Sequence, residues 1–265
     1  MIAVIDYHKG NLKSVERGLI AAGGDARITD DAGEIARADA IVLPGVGAFA
    51  DAAATMEELG QMGVIRERVD AGVPFLGICL GMHLMFEEGT EGAPDEDDEV
   101  SSHNARGLAL LPGVVDLMPR VDAEGNSYKV PHVGWNSIVP LPGGGLGGAQ
   151  SLKQSCSHEK PTGLFGSCGT RLVSTTEPSD AAPVFSCPLF ADVAPGEFFY
   201  FTHSYVAPDT PATVAVATHA VTFPCAVQFR DNAFGVQFHP EKSSDAGAKV
   251  LANFVKLARA SRRSA

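Results

Sequence analysis

Positive charge is scarce in this chain. Only 20 Lys and Arg stand against 32 Asp and Glu, a formal net charge of −12, and so acidic a protein lacks the basic footprint that a nucleic-acid backbone requires. No apolar run reaches bilayer-spanning length, so no membrane segment is expected. Met1 leads directly into Ile2-Ala3-Val4-Ile5 with no secretory leader, and a cytoplasmic location is expected. The five cysteines include no C-x-x-C pair; reduced thiols fit better than a disulfide framework or a zinc site. Cys156, His158, Cys168 and Cys187 match no familiar metal-binding spacing, so no metal or cofactor is implied. There is also no internal repeat.

At 265 residues, 45% hydrophobic and 20% charged, the chain can bury a sizeable core as one domain, 1–265, with excursions. Ile2 to Asp6, Ala26 to Thr29, Ala40 to Leu43 and Pro74 to Ile78 read as strands. Helices are expected at Asn11 to Ala22, Glu34 to Ala38, Asp51 to Ala71 with a break near Gly60 to Gly63, and Leu80 to about Glu87. Such alternation implies an α/β fold with helices on both faces of a mostly parallel sheet. Ligands then bind beyond the carboxyl ends of the strands, where Asp6, Pro44 to Gly47 and Cys79 fall. Much of the acidity is local, running from Glu87 to Glu99, and about 93–105 reads as a solvated acidic loop. Strands are expected again at Val114 to Met118 and Tyr128 to Val133. About 140–195, rich in Gly, Pro, Ser and Thr, reads as an inserted loop region. Regular structure resumes with strands at Glu197 to Phe201, Thr213 to Thr218, Ala226 to Arg230 and Ala233 to Phe238, and a closing helix from Ala246 to Ala260.

Phe75-Leu76-Gly77-Ile78-Cys79-Leu80-Gly81-Met82 ends an apolar strand in G-x-C-x-G, the thiol version of a nucleophile elbow. Cys79 is the candidate nucleophile; a buried core cysteine is the competing reading from this stretch alone. A reactive thiol needs a base, usually a histidine steadied by a third group. His239-Pro240-Glu241 offers one, because residues i and i+2 of an extended segment share a face. The backbone N–H of Leu80, at a helix start, and a second backbone N–H from the Gly45-Val46-Gly47 part of Pro44 to Gly47, where glycines let the peptide turn, can form an oxyanion hole. Together these parts describe acyl transfer through a thioester.

Gly77 to Met82, Phe238-His239-Pro240-Glu241 and Pro44 to Gly47 resemble the nucleophile, His-Glu and oxyanion motifs of class I glutamine amidotransferases. Lys129-Val130-Pro131-His132-Val133-Gly134-Trp135-Asn136, Phe199 to Tyr205 and Gly235 to Ser243 are similar to the branch of that family whose glutaminase subunits serve a cyclase in histidine biosynthesis. The likeness spans 1–92, 106–138 and 197–260. It implies a flavodoxin-like three-layer sandwich, mostly parallel with antiparallel additions, that hydrolyses L-glutamine and passes ammonia to a (β/α)8-barrel cyclase as a heterodimer. It implies Cys79, His239 and Glu241 as the catalytic triad, with Leu80, Val46 and Gly47 as the oxyanion hole. Gly45, Gly47, His83, Glu91, His203, Ser204 and Tyr205 would bind substrate, and Pro131, His132, Trp135, Asn136 and Lys242 would face the partner.

Three departures stand out. His83 replaces a glutamine usual in the family, His8 replaces a glycine, and the 140–195 insertion lengthens a connection that is ordinarily short. Another class I glutaminase, of the pyridoxal phosphate or anthranilate synthase type, and a scaffold that has lost catalysis are the alternatives.

Overall fold

Short apolar strands followed by amphipathic helices build the first third of the chain. The computed structural model describes residues 1–93, 104–141 and 184–264. It opens with β1 (Ile2–Ile5), α1 (Leu12–Ala21), β2 (Ala26–Thr29), α2 (Ala32–Ala36), β3 (Ala40–Gly45), α3 (Phe49–Glu58), α4 (Gln61–Asp70) and β4 (Phe75–Cys79). Every residue of β1, β3 and β4 is buried, as expected of parallel strands covered on both faces. The break between α3 and α4 falls at Gly60, whose φ of 67° a glycine accepts without steric cost.

After β4 come α5 (Leu80–His83), β5 (Phe86–Gly89), β6 (Ala105–Arg106), β7 (Leu111–Leu117), β8 (His132–Ser137) and β9 (Val139–Pro140). The chain finishes with β10 (Phe198–His203), β11 (Tyr205–Val206), β12 (Thr213–Thr218), β13 (Thr222–Phe229), β14 (Ala233–Val236) and α6 (Ser244–Ser264). The main sheet has the order β2-β1-β3-β4-β14-β13-β12-β9, parallel from β2 to β14 and antiparallel beyond. Val15 and Leu19 of α1 pack with Val250, Leu251 and Phe254 of α6 on one face. Ile35, Phe49, Met56 and Ile65 from α2, α3 and α4 cover the other. The result is a three-layer α/β sandwich with antiparallel additions.

Four expectations change. The strand expected at Tyr128 to Val133 instead runs from His132 to Ser137. The helix after Cys79 stops at His83, because the carbonyls of Leu84 and Met85 accept from the backbone N–H groups of Leu108 and Leu110, at 2.7 and 2.9 Å, instead of continuing the helical ladder. Phe86 to Gly89 then becomes a strand between β6 and β7, so Ala105, assigned to the acidic loop, belongs to a sheet. The insertion is anchored at both ends. Pro140 pairs with Ala215 in the main sheet, while Leu189 and Phe190 are buried and Phe190 packs on Phe185 with centroids 4.8 Å apart. The remainder of both loops, 94–103 and 142–183, with Cys156, His158 and Cys168, lies outside the described residues.

Candidate active site

β3, β4 and β14 lie side by side, with Gly45 paired to Cys79 and Val236 to Ile78. The segments that follow these strands therefore leave the sheet at one edge. Gly77 and Gly81 make the turn at Cys79 possible: a Cβ on Gly81 would lie 1.7 Å from the Leu43 carbonyl oxygen, and one on Gly77 2.4 Å from that of Gly81. Cys79 sits at the apex with φ 55° and ψ −108°, a conformation that costs a non-glycine residue on the order of 1–3 kcal/mol and persists only where its surroundings impose it.

His239 follows β14. Its backbone N–H donates to the Tyr200 carbonyl at 2.9 Å, and its carbonyl accepts from the Ser243 hydroxyl at 2.6 Å. The ring Nδ1 donates to Glu241 Oε1 at 3.0 Å, with both side chains buried. Nε2 closes no hydrogen bond of ordinary length, and the Cys79 thiol acts on the ring at longer range. Burial opposes the charged ring, yet hydrogen bonding and charge from Cys79 and Glu241 outweigh it and raise His239 to about 9. The ring is an imidazolium at neutral pH.

A cavity of about 380 Å³ opens at the thiol. Val46, Gly47 and Leu80 line it on the side of the candidate oxyanion donors, and Glu91, His203, Ser204 and Tyr205 line it too, with His83 and Pro131. Gly45 is not in the lining; it packs behind Cys79, where an added Cβ would meet the Tyr7 hydroxyl. Burial raises the Glu91 carboxyl above its ordinary range despite a backbone N–H from Phe49. The His203 ring turns inward, donating from Nδ1 to the Tyr205 carbonyl at 2.9 Å and accepting at Nε2 from His132 Nδ1 at 3.1 Å. Burial pushes His203 down to about 3 and His132 to about 4, so this pair is neutral and braces the backbone of 203–205.

Strand alternation divides the expected partner-facing residues. Val133 and Trp135 on β8 are exposed, as is Phe198 on β10, and Lys242 Nζ stands 5.8 Å over the Tyr200 ring beside Trp135. His132 is buried and Asn136 half-buried, and their side chains turn toward the main sheet. His132 stacks on Phe201 and His219, and Asn136 donates to the Thr218 carbonyl at 2.7 Å. His8 keeps the conformation that a glycine would favour, with φ 66°.

One residue was not singled out from sequence. Gln237, fully buried, places its side-chain Nε2 3.8 Å from Cys79 Sγ and its Oε1 2.6 Å from His83 Nε2. It lies two residues before His239 in the bend that leaves β14, where no strand alternation marks its direction in the sequence. Among the described residues, no group of three or more His, Cys, Asp or Glu is arranged to hold a metal ion.

Residues 3–258 match the family described as glutamine amidotransferase class-I. The chain is 38% identical over 261 residues to the imidazole glycerol phosphate synthase subunit HisH of Moorella thermoacetica, covering 97% of this chain and 95% of that protein. The protein of the same name from Syntrophotalea carbinolica is 36% identical, with 96% and 98% covered. Among solved structures, a glutamine amidotransferase superposes with TM-score 0.57 at 13% identity, covering 98% of this chain and 100% of that one. PurLQS from Thermotoga maritima gives 0.56 at 15%, with 97% of each chain covered. These two carry the fold alone.

Proposed function

The chain belongs to the class I glutamine amidotransferase family, and we propose that it is the glutaminase subunit of an imidazole glycerol phosphate synthase, acting through Cys79, His239 and Glu241. The Cys79 thiolate attacks the side-chain carbonyl carbon of L-glutamine. Backbone N–H groups of Leu80 and of the Val46-Gly47 segment receive the oxyanion. The His239 imidazolium protonates the nitrogen, the C–N bond breaks, and ammonia leaves behind a glutamyl thioester. His239, now neutral, takes a proton from water as that water attacks the thioester; glutamate departs and the thiolate and imidazolium are restored. Glu241 holds the ring tautomer and stabilises its charge throughout. The backbone of 203–205 holds the substrate carboxylate and Glu91 its ammonium.

The observation that carries this reading is a strained Cys79 at a strand end facing a buried His239–Glu241 pair. The names of the relatives support histidine biosynthesis and a partner. The partner is a (β/α)8-barrel cyclase, docked on the exposed apolar face of Val133, Trp135 and Phe198, which adjoins the cavity through Pro131 and Thr202. A contiguous apolar patch of this kind marks an interaction surface. Ammonia crosses there to the cyclase, which makes imidazole glycerol phosphate and the aminoimidazole carboxamide ribotide. The test is glutamate release with a purified cyclase and its nucleotide ligand, comparing the chain with Cys79→Ser. Turnover should rise with the partner present and vanish in the variant, while complex formation persists. Undiminished release by Cys79→Ser would end the mechanism.

A further inference from the structure

No step above uses the side chain of Gln237. Its amide lies between one ring and one sulfur: Oε1 is 2.6 Å from His83 Nε2, and Nε2 is 3.8 Å from Cys79 Sγ. Gln237 is 0% and His83 3% exposed, so solvent does not choose the orientation of either group. An amide turns end for end at little steric cost, and the end that faces the sulfur is decided by what the other end meets. A thiolate is an acceptor; an amide N–H stabilises it and a carbonyl oxygen repels it. Imidazole protonated on Nε2 donates to Oε1 and turns the amide nitrogen toward Cys79. Imidazole protonated on Nδ1 would accept at Nε2 and turn the carbonyl there instead.

We propose that His83 is a positioning residue for Cys79, its Nε2–H locking the Gln237 side-chain amide so that an N–H faces the sulfur as the thiol reacts. The proposal rests on Cys79 being the nucleophile. Burial pushes His83 down to about 4, so it stays neutral at working pH and adds no second positive charge. The other titratable groups that act on this cluster are Tyr7, two residues beyond β1, and His239 on Cys79, and His203 of β10 on His83. Tyr7 is raised and His203 lowered, both away from neutrality, which leaves His239 as the charged neighbour of the thiol. His83 thereby acts through a second residue, whereas the family's usual glutamine at that position was expected to meet substrate directly.

The test is alkylation of Cys79 by iodoacetamide in the full chain as a function of pH, read by mass spectrometry on the Cys79 peptide. Gln237→Leu and His83→Phe should each slow alkylation at neutral pH about tenfold and raise its midpoint by about one unit, the low end for a hydrogen bond to an ionised group. The double variant should be no slower than either single one, because the two residues act as one unit. His83→Gln, which retains a donor for Gln237, should stay within about twofold of the parent. Profiles that coincide with the parent, or single effects that multiply in the double variant, overturn the proposal. So does a measurement that needs no variant: nitrogen-15 NMR of the unaltered chain should find His83 protonated on Nε2, and an Nδ1-H tautomer contradicts it. Failure of the nucleophile itself is seen separately, as glutaminase activity that survives complete alkylation of Cys79.

Discussion

Replacing Glu241 with glutamine keeps the shape of the triad and removes its charge. In the parent, His239 rises from 6.5 to about 9, a preference for the imidazolium of about 3 kcal/mol. Burial opposes that rise, so Cys79 and Glu241 must supply it between them. The Glu241 contribution is a 3.0 Å hydrogen bond between side chains 4% and 2% exposed, and such a bond to an ionised group is worth about 1.5–3 kcal/mol. His239 in Glu241→Gln should therefore fall by about one to two units. A base with a lowered pKa sheds its proton at lower pH, so the acid needed to protonate the departing nitrogen is depleted first on the alkaline side. The alkaline limb of kcat/KM for glutamate release, measured with cyclase and nucleotide ligand present, should move down by about the same one to two units. A folded Glu241→Gln variant whose profile superimposes on the parent's would refute the role assigned to this charge.

Two further expectations concern the frame and the surface around the site. Gly81→Ala drives a Cβ to 1.7 Å from the Leu43 carbonyl oxygen and should cost about 3 kcal/mol or more in chemical denaturation, whereas Gly63→Ala, in α4 with nothing within 4 Å, should stabilise by about 0.5–1 kcal/mol; equal effects of the two would remove the steric argument for the elbow. Trp135→Ala, at a residue 51% exposed, should weaken cyclase binding by about 2 kcal/mol in calorimetric titration while shifting folding stability by less than about 0.5 kcal/mol; unchanged affinity would place the interface elsewhere.

Most of the parallel sheet was legible because β1, β3 and β4 are buried on both faces and read as unbroken apolar runs. The elbow was legible for a local reason, since two glycines around Cys79 permit an approach that no side chain would. Long-range hydrogen bonds were not legible. Nothing within Leu80 to Glu87 announces that residues 108–110 will take the carbonyls of Leu84 and Met85 and end the helix. The burial of Phe190 beside Phe238 was likewise hidden by the Gly- and Pro-rich composition around it. Resemblance placed His132, Trp135 and Asn136 together toward a partner, and alternation along β8 sets the first and last on the face opposite Val133 and Trp135. Gln237 was missed because an amide inside a motif announces no chemistry until its two ends are seen to meet His83 and Cys79.

The covalent step is the most direct thing to observe. The chain, mixed with L-glutamine, cyclase and nucleotide ligand and quenched in acid during turnover, should carry a glutamyl thioester on the Cys79 peptide, and the adduct should disappear in Cys79→Ala and with the substrate withheld. Turnover that continues at full rate with no adduct on Cys79 at any quench time, or an adduct on Cys187 or Cys225 in its place, would contradict the assignment of Cys79 as nucleophile.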